Sequence, residues 1–265
     1  NADGEADYYE SFNHDLQITG KDHAFAMRLE TDPAGNFYFL KSGEGEHGSA
    51  LLKLSADGSK LSVVARGFRH PYGMGVGPRG EVTVADNEGG WVPSSKIELV
   101  QKYVGGTKSR LCYLPKVADN SCGGQTWVTS DRWGDYHRGE MLHLSWGRCT
   151  LHAVLREQVG DTWQAATVQF PGLTFLSGPG QGVFHPADGQ LYVVGLQGWQ
   201  TAAAEDGCFQ RVRATGGSVR MPKAFHVHQN GIRIAFSQAL DPAAARNLEN
   251  YRVQQWNYRW SQTYG

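Results

Sequence analysis

The sequence predicts an all-β protein made of β-propeller blades, and three observations support this prediction. Charged residues make up only 19% of the 265 residues, whereas 34 are glycine and 11% are aromatic. Apolar and polar residues alternate over short segments, which indicates half-buried strands. One pattern of turn and strand recurs along the chain. Together these features are typical of short strands joined by tight turns.

The recurring pattern is a glycine turn, an alternating strand, a polar glycine-rich loop and a second strand. Four copies cover residues 31–58, 76–100, 123–148 and 185–217. The marker glycines Gly35, Gly80 and Gly124 recur about 45 residues apart, which is the length of one four-stranded propeller blade. The longer interval to Gly189 predicts an insertion around residues 156–180. An irregular β-sandwich is the alternative fold.

The pattern changes near residue 218, and this change predicts two parts. Residues 1–218 hold about four blades, which is few for a closed ring, so we expect further chain segments or subunits to complete it. Residues 219–265 contain a strand, a Leu-Asp-Pro turn, a short helix and another strand. This order resembles the start of an Ig-like or fibronectin-like module. Two strands are too few to fold as an independent sandwich.

Charge and hydropathy argue against two classes of partner. The formal net charge is -1, and the 25 basic and 26 acidic residues are spread without blocks. We therefore expect no nucleic-acid partner and no binding to an anionic membrane surface. No apolar run approaches the roughly 18 residues that a membrane span needs, so no transmembrane segment is expected.

Four cysteines stand in the chain, namely Cys112, Cys122, Cys149 and Cys208. None forms a C-x-x-C or C-x-x-C-H motif, so neither a cysteine-framed zinc site nor a covalently attached haem is expected. Two alternatives remain for these residues. An even number fits one or two disulfides in an exported protein, and free buried thiols fit equally well.

Two groups of oxygen-bearing residues are candidates for ligand or metal binding. Asn87 and Glu88 follow the alternating strand EVTVA, where closing a turn is the alternative role. Asp3 and Asp7 stand in an N-x-D-G-x-x-D spacing that resembles part of a calcium loop. The sequence therefore predicts oxygen ligands at both places.

The segment DRW at 131–133, with Trp127, is a candidate sugar-binding rim, because the CH faces of sugars stack on indole rings. Packing between blades, with a buried Asp131–Arg132 pair, is the favoured alternative. The sequence leaves both roles open.

Residues 67–100 carry a family resemblance. The segment 67–73 reads GFRHPYG, EVTVADNEGG follows it, and IELV stands at 97–100. This order resembles the glucose/sorbosone dehydrogenases, a family of soluble quinoproteins with six-bladed propellers. The resemblance covers roughly residues 20–100, and it implies six blades here.

Sequence motifs along nearly the whole chain resemble those of a large bacterial family of exported propellers. Those proteins are described as membrane-bound dehydrogenases or haem-binding proteins, and they often carry a cytochrome c domain. The segments that carry this resemblance are DGEADYYE, TDPAGNFYF, TVADNEGGWVPSS, GGQTWVTSDRWG, DGQLYVVGLQGWQ and QWNYRWS.

The quinoprotein resemblance implies roles for particular residues. Arg69 would stack on pyrroloquinoline quinone (PQQ), and the carbonyls of Gly89 and Gly90 would bind Ca²⁺. His23 would be the catalytic base. The chemistry is coherent, because a base takes the hydroxyl proton while hydride leaves for the quinone. Calcium prefers oxygen ligands and polarises a carbonyl.

The resemblance implies a quinoprotein-type sugar or polyol dehydrogenase that passes electrons to a cytochrome c. It also implies export to the periplasm or the cell surface. Two alternatives stay open: a non-catalytic exported propeller that binds carbohydrate or a partner protein, and a subunit of a larger redox or structural assembly.

Overall fold

The computed structural model describes residues 3–20, 23–100, 109–254 and 261–264. These residues form five antiparallel sheets and almost no helix. Four of the sheets are arranged as propeller blades, so the prediction of an all-β chain with about four blades is confirmed.

The first two blades have four strands each, which follow chain order across the sheet. Blade 1 contains β1 (Ala26–Thr31), β2 (Phe37–Lys41), β3 (Ala50–Leu54) and β4 (Leu61–Arg66). Blade 2 contains β5 (Pro71–Val76), β6 (Val82–Asp86), β7 (Ser95–Val100) and β8 (Ser109–Leu114).

Blade 3 has four strands and blade 4 has three among the described residues. Blade 3 contains β9 (Cys122–Trp127), β10 (Met141–Ser145), β11 (Thr150–Val159) and β12 (Thr162–Thr174). Blade 4 contains β13 (Gly178–Phe184), β14 (Leu191–Leu196) and β15 (Gly207–Val212). The long β11–β12 hairpin covers much of the region around residues 156–180 where the sequence predicts an insertion.

A hairpin and a short helix follow blade 4. They are β16 (Pro222–His228), β17 (Gly231–Phe236), α1 (Pro242–Arg246) and a 3₁₀ turn (Leu248–Asn250). The hairpin packs on β11 of blade 3, and its Lys223 forms an ion pair at 2.9 Å with Glu140, which precedes β10. The Ig-like assignment of residues 219–265, and the boundary at residue 218, remain predictions.

The innermost strand of each blade lies beside the propeller axis, and neighbouring inner strands approach each other closely. A Cβ at Gly73 of β5 would collide with the carbonyl oxygen of Gly123 in β9. A Cβ at Gly75 would likewise collide with the carbonyl oxygen of Gln125. Only glycine permits such close backbone contact. This packing explains the glycines of the segment PYGMGV.

Two details of the predicted repeat are wrong. The copy at 76–100 makes EVTVA the first strand of its blade, which is wrong, because PYGMGV forms the first strand of blade 2 and EVTVA the second. Gly124 lies within inner strand β9 instead of a turn, and the corresponding turn uses Gly139 at φ 86°. The inner strands β5 and β9 are largely buried on both faces, so they lack the polar–apolar alternation that marks half-buried strands.

The hydrophobic core lies between successive blades. The three interfaces are represented by pairs of buried side chains: Leu40 and Met74 between blades 1 and 2, Ile97 and Met141 between blades 2 and 3, and Leu144 and Leu191 between blades 3 and 4. Each such side chain stabilises the fold by about 1.5–3 kcal/mol relative to an exposed one.

The last blade has one covered face and one open face. Leu191 and Val193 are fully buried against blade 3. On the opposite face, Val194, Leu196 and Phe209 are 50%, 51% and 73% exposed. Blade 4 therefore presents an apolar face to solvent within the described part of the chain.

Within the described ranges, the structure contains no helix of sufficient length and hydrophobicity to span a membrane.

Candidate functional site

A cavity of about 530 Å³ lies at the end of the propeller axis where the inner strands begin. We call it the axial cavity. Its lining comes from blades 1, 2 and 3, from the loop after β14 and from the C-terminal segment. The lining residues are His23, Phe25, Arg69, His70, Tyr72, Asn87, Asn120, Ser121, Trp146, Trp199, Gln200 and Tyr264. The cavity thus brings together His23, Arg69 and Asn87, three of the residues that the sequence predicts for a site.

Asp86 fixes the chain that enters the cavity. Its carboxylate accepts hydrogen bonds from the backbone N–H of Arg69 at 3.0 Å and of His70 at 2.8 Å. The same carboxylate is fully buried and forms an ion pair with Lys96 at 3.1 Å. Charge-assisted bonds to a buried carboxylate are strong. Asp86 therefore fixes the backbone of Arg69 and His70 directly before the start of β5.

The guanidinium of Arg69 packs against the backbone of Gly89, where a Cβ would collide with it. Its central carbon lies 5.2 Å from the ring centroid of Tyr264, a distance typical of a cation–π contact. Among the described residues, this guanidinium has neither a hydrogen-bond partner nor an ion-pair partner. An aromatic ring of the protein itself therefore already contacts the group that the resemblance assigns to quinone stacking.

Two histidines meet at the wall of the cavity. The ring centroids of His23 and His70 are 5.8 Å apart. Burial, together with the positive charge of Arg69, lowers the pKa of His70 to about 4. His70 is therefore a neutral imidazole at neutral pH. His23 is exposed and has a left-handed backbone with φ 62°, which is uncommon for a residue other than glycine.

Aromatic side chains form much of the remaining wall. The rings of Tyr72 and Trp146 lie 5.4 Å apart, and Trp199 is 83% exposed. Arg28 holds Tyr72 in place through two contacts. Its Nε donates to the Tyr72 carbonyl at 2.9 Å, and its guanidinium lies 4.4 Å from the centroid of the Tyr72 ring. This wall suits a planar or ring-shaped ligand.

Asn87 and Glu88 are both held by the protein. The amide oxygen of Asn87 accepts a hydrogen bond from the Cys122 N–H at 2.8 Å, which ties blade 2 to blade 3. Glu88 is buried and forms an ion pair with Lys116 at 3.2 Å. Only Asn87 of the two lines the axial cavity.

The predicted calcium ligands do not fit a calcium site here. The carbonyl oxygen of Gly89 accepts the Val92 N–H at 3.0 Å, and the carboxylate of Glu88 faces the lysine ammonium described above. Gly90 does not line the cavity, and no described carboxylate does so. Calcium usually takes 6–8 oxygen ligands, with charge from carboxylates. The oxygen ligands are therefore too few for calcium, and the neighbouring lysine adds a positive charge that would repel the ion.

Asp3 and Asp7 lie in the N-terminal segment, apart from the cavity lining. Both are exposed, and the carboxylate of Asp3 accepts the Glu5 N–H at 3.0 Å. That geometry is an ordinary Asx turn. The partial calcium loop at these residues stays a prediction.

One group of three ligand-type side chains meets in the described part of the protein: Asp119, Cys122 and His143. Their polar atoms are already paired. His143 Nε2 lies 2.6 Å from Asp119, whose other oxygen accepts from Ser145 at 2.7 Å. Burial also raises the pKa of the Cys122 thiol well above its usual value, which disfavours the thiolate that metals bind. We interpret the group as structural.

Hydrogen bonds connect this group of side chains in blade 3 to blade 2. Gln125 donates to His143 Nδ1 at 3.1 Å, and Thr83 of blade 2 donates to Gln125 at 3.2 Å. Because Nδ1 accepts, the proton of His143 lies on Nε2 and points at Asp119. The chain of hydrogen bonds therefore joins blade 3 to blade 2.

The tryptophans of the predicted sugar rim are buried in blade packing. Trp127 and Trp133 are 3% and 5% exposed. Asp131 pairs on the surface with Arg138 at 2.7 Å, so the expected buried pair of Asp131 with Arg132 is wrong. All four cysteines are free thiols.

Comparison with solved structures gives one match that supports the propeller fold. A Thermus thermophilus protein described as an oxidoreductase (glucose dehydrogenase) matches with a TM-score of 0.56 and 15% identity, covering 74% of this chain and 68% of that one. The allergen Mala s 1 of Malassezia sympodialis matches with a TM-score of 0.40 and 14% identity, covering 64% and 49%. No protein-family model and no curated protein matches the sequence at a significant level.

The class that the fold defines is an all-β propeller with four blades among the described residues. At 15% identity the likeness concerns the fold alone. Sequence reasoning missed most of the aromatic wall, namely Tyr72, Trp146, Trp199 and Tyr264. Tyr72 stands inside the GFRHPYG motif and could have been found there. The others come from distant segments that only the fold brings together.

Proposed function

We propose that the protein is a quinoprotein-type dehydrogenase-like propeller whose axial cavity binds a sugar or polyol. The observation that carries this proposal is the meeting of His23, Arg69 and an aromatic wall in one cavity at the end of the axis. Ligand sites are commonly concave and aromatic with a few polar groups. The propeller likeness to an oxidoreductase is consistent with it.

Within this proposal the residues have separate tasks. His23 accepts the proton of the substrate hydroxyl, because it is the exposed imidazole of the pair. His70 stays neutral next to it and can accept a hydrogen bond. The aromatic wall of Tyr72 and Trp146 would hold a planar quinone such as PQQ, which supplies a hydride acceptor when bound. Calcium has no part in this proposal.

The finer family assignment is also a proposal. The motifs from GFRHPYG to IELV support membership of the glucose/sorbosone dehydrogenase type, with export to the periplasm or the cell surface. A cytochrome c domain or protein would then receive the electrons. The sequence resemblance alone supports these points.

A dye-linked assay tests the proposed activity. The purified protein is supplied with PQQ and a panel of aldoses and polyols, and reduction of an artificial electron acceptor is followed. We expect turnover that falls at least about a hundredfold in His23→Asn, as loss of a general base typically costs. His137→Asn, at an exposed site, is the matched control. Absence of turnover with every substrate would refute the activity.

A non-catalytic carbohydrate-binding propeller is the second candidate. The observation that favours it is the exposed Trp199 beside the rings of Tyr72 and Trp146. Sugar binding that is unaffected by quinone, together with absent turnover, would select this candidate.

We also propose that further blades complete the ring, to six in total, from additional chain segments or other subunits. The exposed apolar face of blade 4 supports this, because that face resembles the surfaces that blades bury against each other. Such completion is consistent with a subunit of a larger redox or structural assembly.

A further inference from the structure

Arg69 is an accessible cation without a counter-ion in the described structure. It is exposed at the axial cavity, and its guanidinium makes no hydrogen bond or ion pair there. Its contacts are with the Gly89 backbone and the Tyr264 ring. Those contacts fix the side chain and leave N–H donors unused. An arginine that is positioned but unpaired is suited to bind a carboxylate, often through two parallel hydrogen bonds.

The charges around the cavity have one sign. The described lining includes the cation Arg69 but no aspartate or glutamate, and its buried histidine, His70, is neutral at neutral pH. Asp86 and Glu88 flank the lining residue Asn87 in the sequence. Their negative charges are neutralised, because Asp86 forms an ion pair with Lys96 and Glu88 forms one with Lys116. A cationic cavity with low-dielectric walls favours an anionic ligand over a neutral one.

We propose that the axial cavity selects a substrate that carries a carboxylate, such as a sugar acid, and that Arg69 is its anchor. The exposed indole of Trp199 contacts the CH face of the sugar ring while the guanidinium of Arg69 binds the carboxylate. No divalent cation takes part, in agreement with the poor fit of the calcium ligands. The inference rests on the axial cavity as the ligand site of the proposed function, and it concerns binding alone.

The test measures binding and needs no turnover. Glucuronate and glucose are titrated separately into the quinone-free protein by calorimetry, in the presence of a chelator. We expect glucuronate to bind at least about tenfold more tightly than glucose, the range of a charge-assisted hydrogen bond. High salt should weaken glucuronate binding and leave glucose binding unchanged.

Variants separate the anchor from general damage. Arg69→Gln should weaken glucuronate about tenfold and leave glucose unchanged, whereas Arg69→Lys should keep part of the preference. Arg79→Gln is the matched control, because Arg79 is exposed in the turn at the other end of β5. Thermal unfolding of each variant verifies that it is folded.

Three results with the quinone-free protein would overturn the inference. They are equal affinities for the two sugars, a glucuronate affinity unchanged in Arg69→Gln, and a requirement for calcium. Loss of glucuronate binding once PQQ is bound would assign the anchor to the cofactor and overturn it as well. Glucuronate binding without any dehydrogenase turnover would support the inference and count against the proposed activity, so the two failures are distinguishable.

Discussion

At the scale of single residues, the buried Asp119–His143 pair is the clearest stabilising interaction. Both side chains are almost fully inaccessible, and their atoms lie 2.6 Å apart. Removal of one partner leaves the other buried without its hydrogen bond, which costs more than the bond itself contributes. The pair therefore anchors the chain of hydrogen bonds between blades 2 and 3.

We predict that His143→Ala lowers the free energy of unfolding by about 3 kcal/mol, since it leaves a buried carboxylate without its partner. Chemical denaturation of the full chain measures this change. His137→Ala, at an exposed position, should stay within about 0.5 kcal/mol of the unsubstituted protein. A loss below about 1 kcal/mol in His143→Ala would show that the pair is not structural.

His152 makes stability sensitive to acid. Burial, together with nearby His143, lowers its pKa to about 4, below the ordinary 6.5. The folded state therefore binds fewer protons than the unfolded state between these values. Stability is retained at neutral pH and falls as the pH drops from about 6.5 to about 4, by up to about 3 kcal/mol.

We predict that His152→Gln removes this part of the acid sensitivity. The difference between the unfolding free energies at pH 7 and pH 4 should shrink by about 2–3 kcal/mol. Denaturant titrations at a series of pH values measure it. An unchanged pH dependence would show that His152 is not held neutral in the folded state.

At the scale of elements, the inner strands combine close approach with glycine. We predict that Gly73→Ala destabilises the fold by more than about 2 kcal/mol, because the new methyl group would collide with the backbone of β9. Gly231→Ala is the control, since a Cβ there meets no atom within 4 Å. Similar unfolding free energies for the two variants would contradict the close packing at the axis.

In blades 1, 2 and 4 the sequence predicts the second and third strands well and the inner strands poorly. EVTVA and IELV in blade 2 reveal strands, because alternating or apolar runs between turns indicate them directly. PYGMGV and CGGQTW are strands only because their glycines fit against each other at the axis. That constraint depends on the neighbouring blade, which local sequence does not encode.

The candidate site is predictable to a similar degree. Arg69 and His23 follow from the motif resemblance and Asn87 from its position after the strand EVTVA, and all three reach the axial cavity. Tyr264 and Trp199 lie far away in sequence and reach it only through the fold. The pairing of Glu88 with Lys116 likewise could not be predicted, because blade 2 and its following loop must fold first.

At the scale of the whole molecule, blade 4 determines how the propeller ends. Gln181 of β13 donates a hydrogen bond to Glu30 of β1, so side chains of the inner strands of blades 4 and 1 contact each other near the axis. Away from the axis, the outer face of blade 4 remains apolar and exposed. Exposed apolar faces of this kind mark sites of association.

We predict that the isolated 265-residue chain self-associates through this face. Phe209→Lys together with Val194→Lys should shift the native mass toward the monomer, as measured by light scattering after size exclusion. Lysines at the exposed positions Val117 and Val159, outside blade 4, provide the control. A monomeric unsubstituted chain would contradict association through blade 4.

The central claim is that the axial cavity is the ligand site of the propeller. Difference electron density from a crystal soaked with PQQ and a sugar acid tests it most directly. The account predicts density beside Arg69 and against the rings of Tyr72 and Trp146. Density confined to another cleft, such as the apolar one beside Trp133, or an empty axial cavity at saturating ligand, would contradict it.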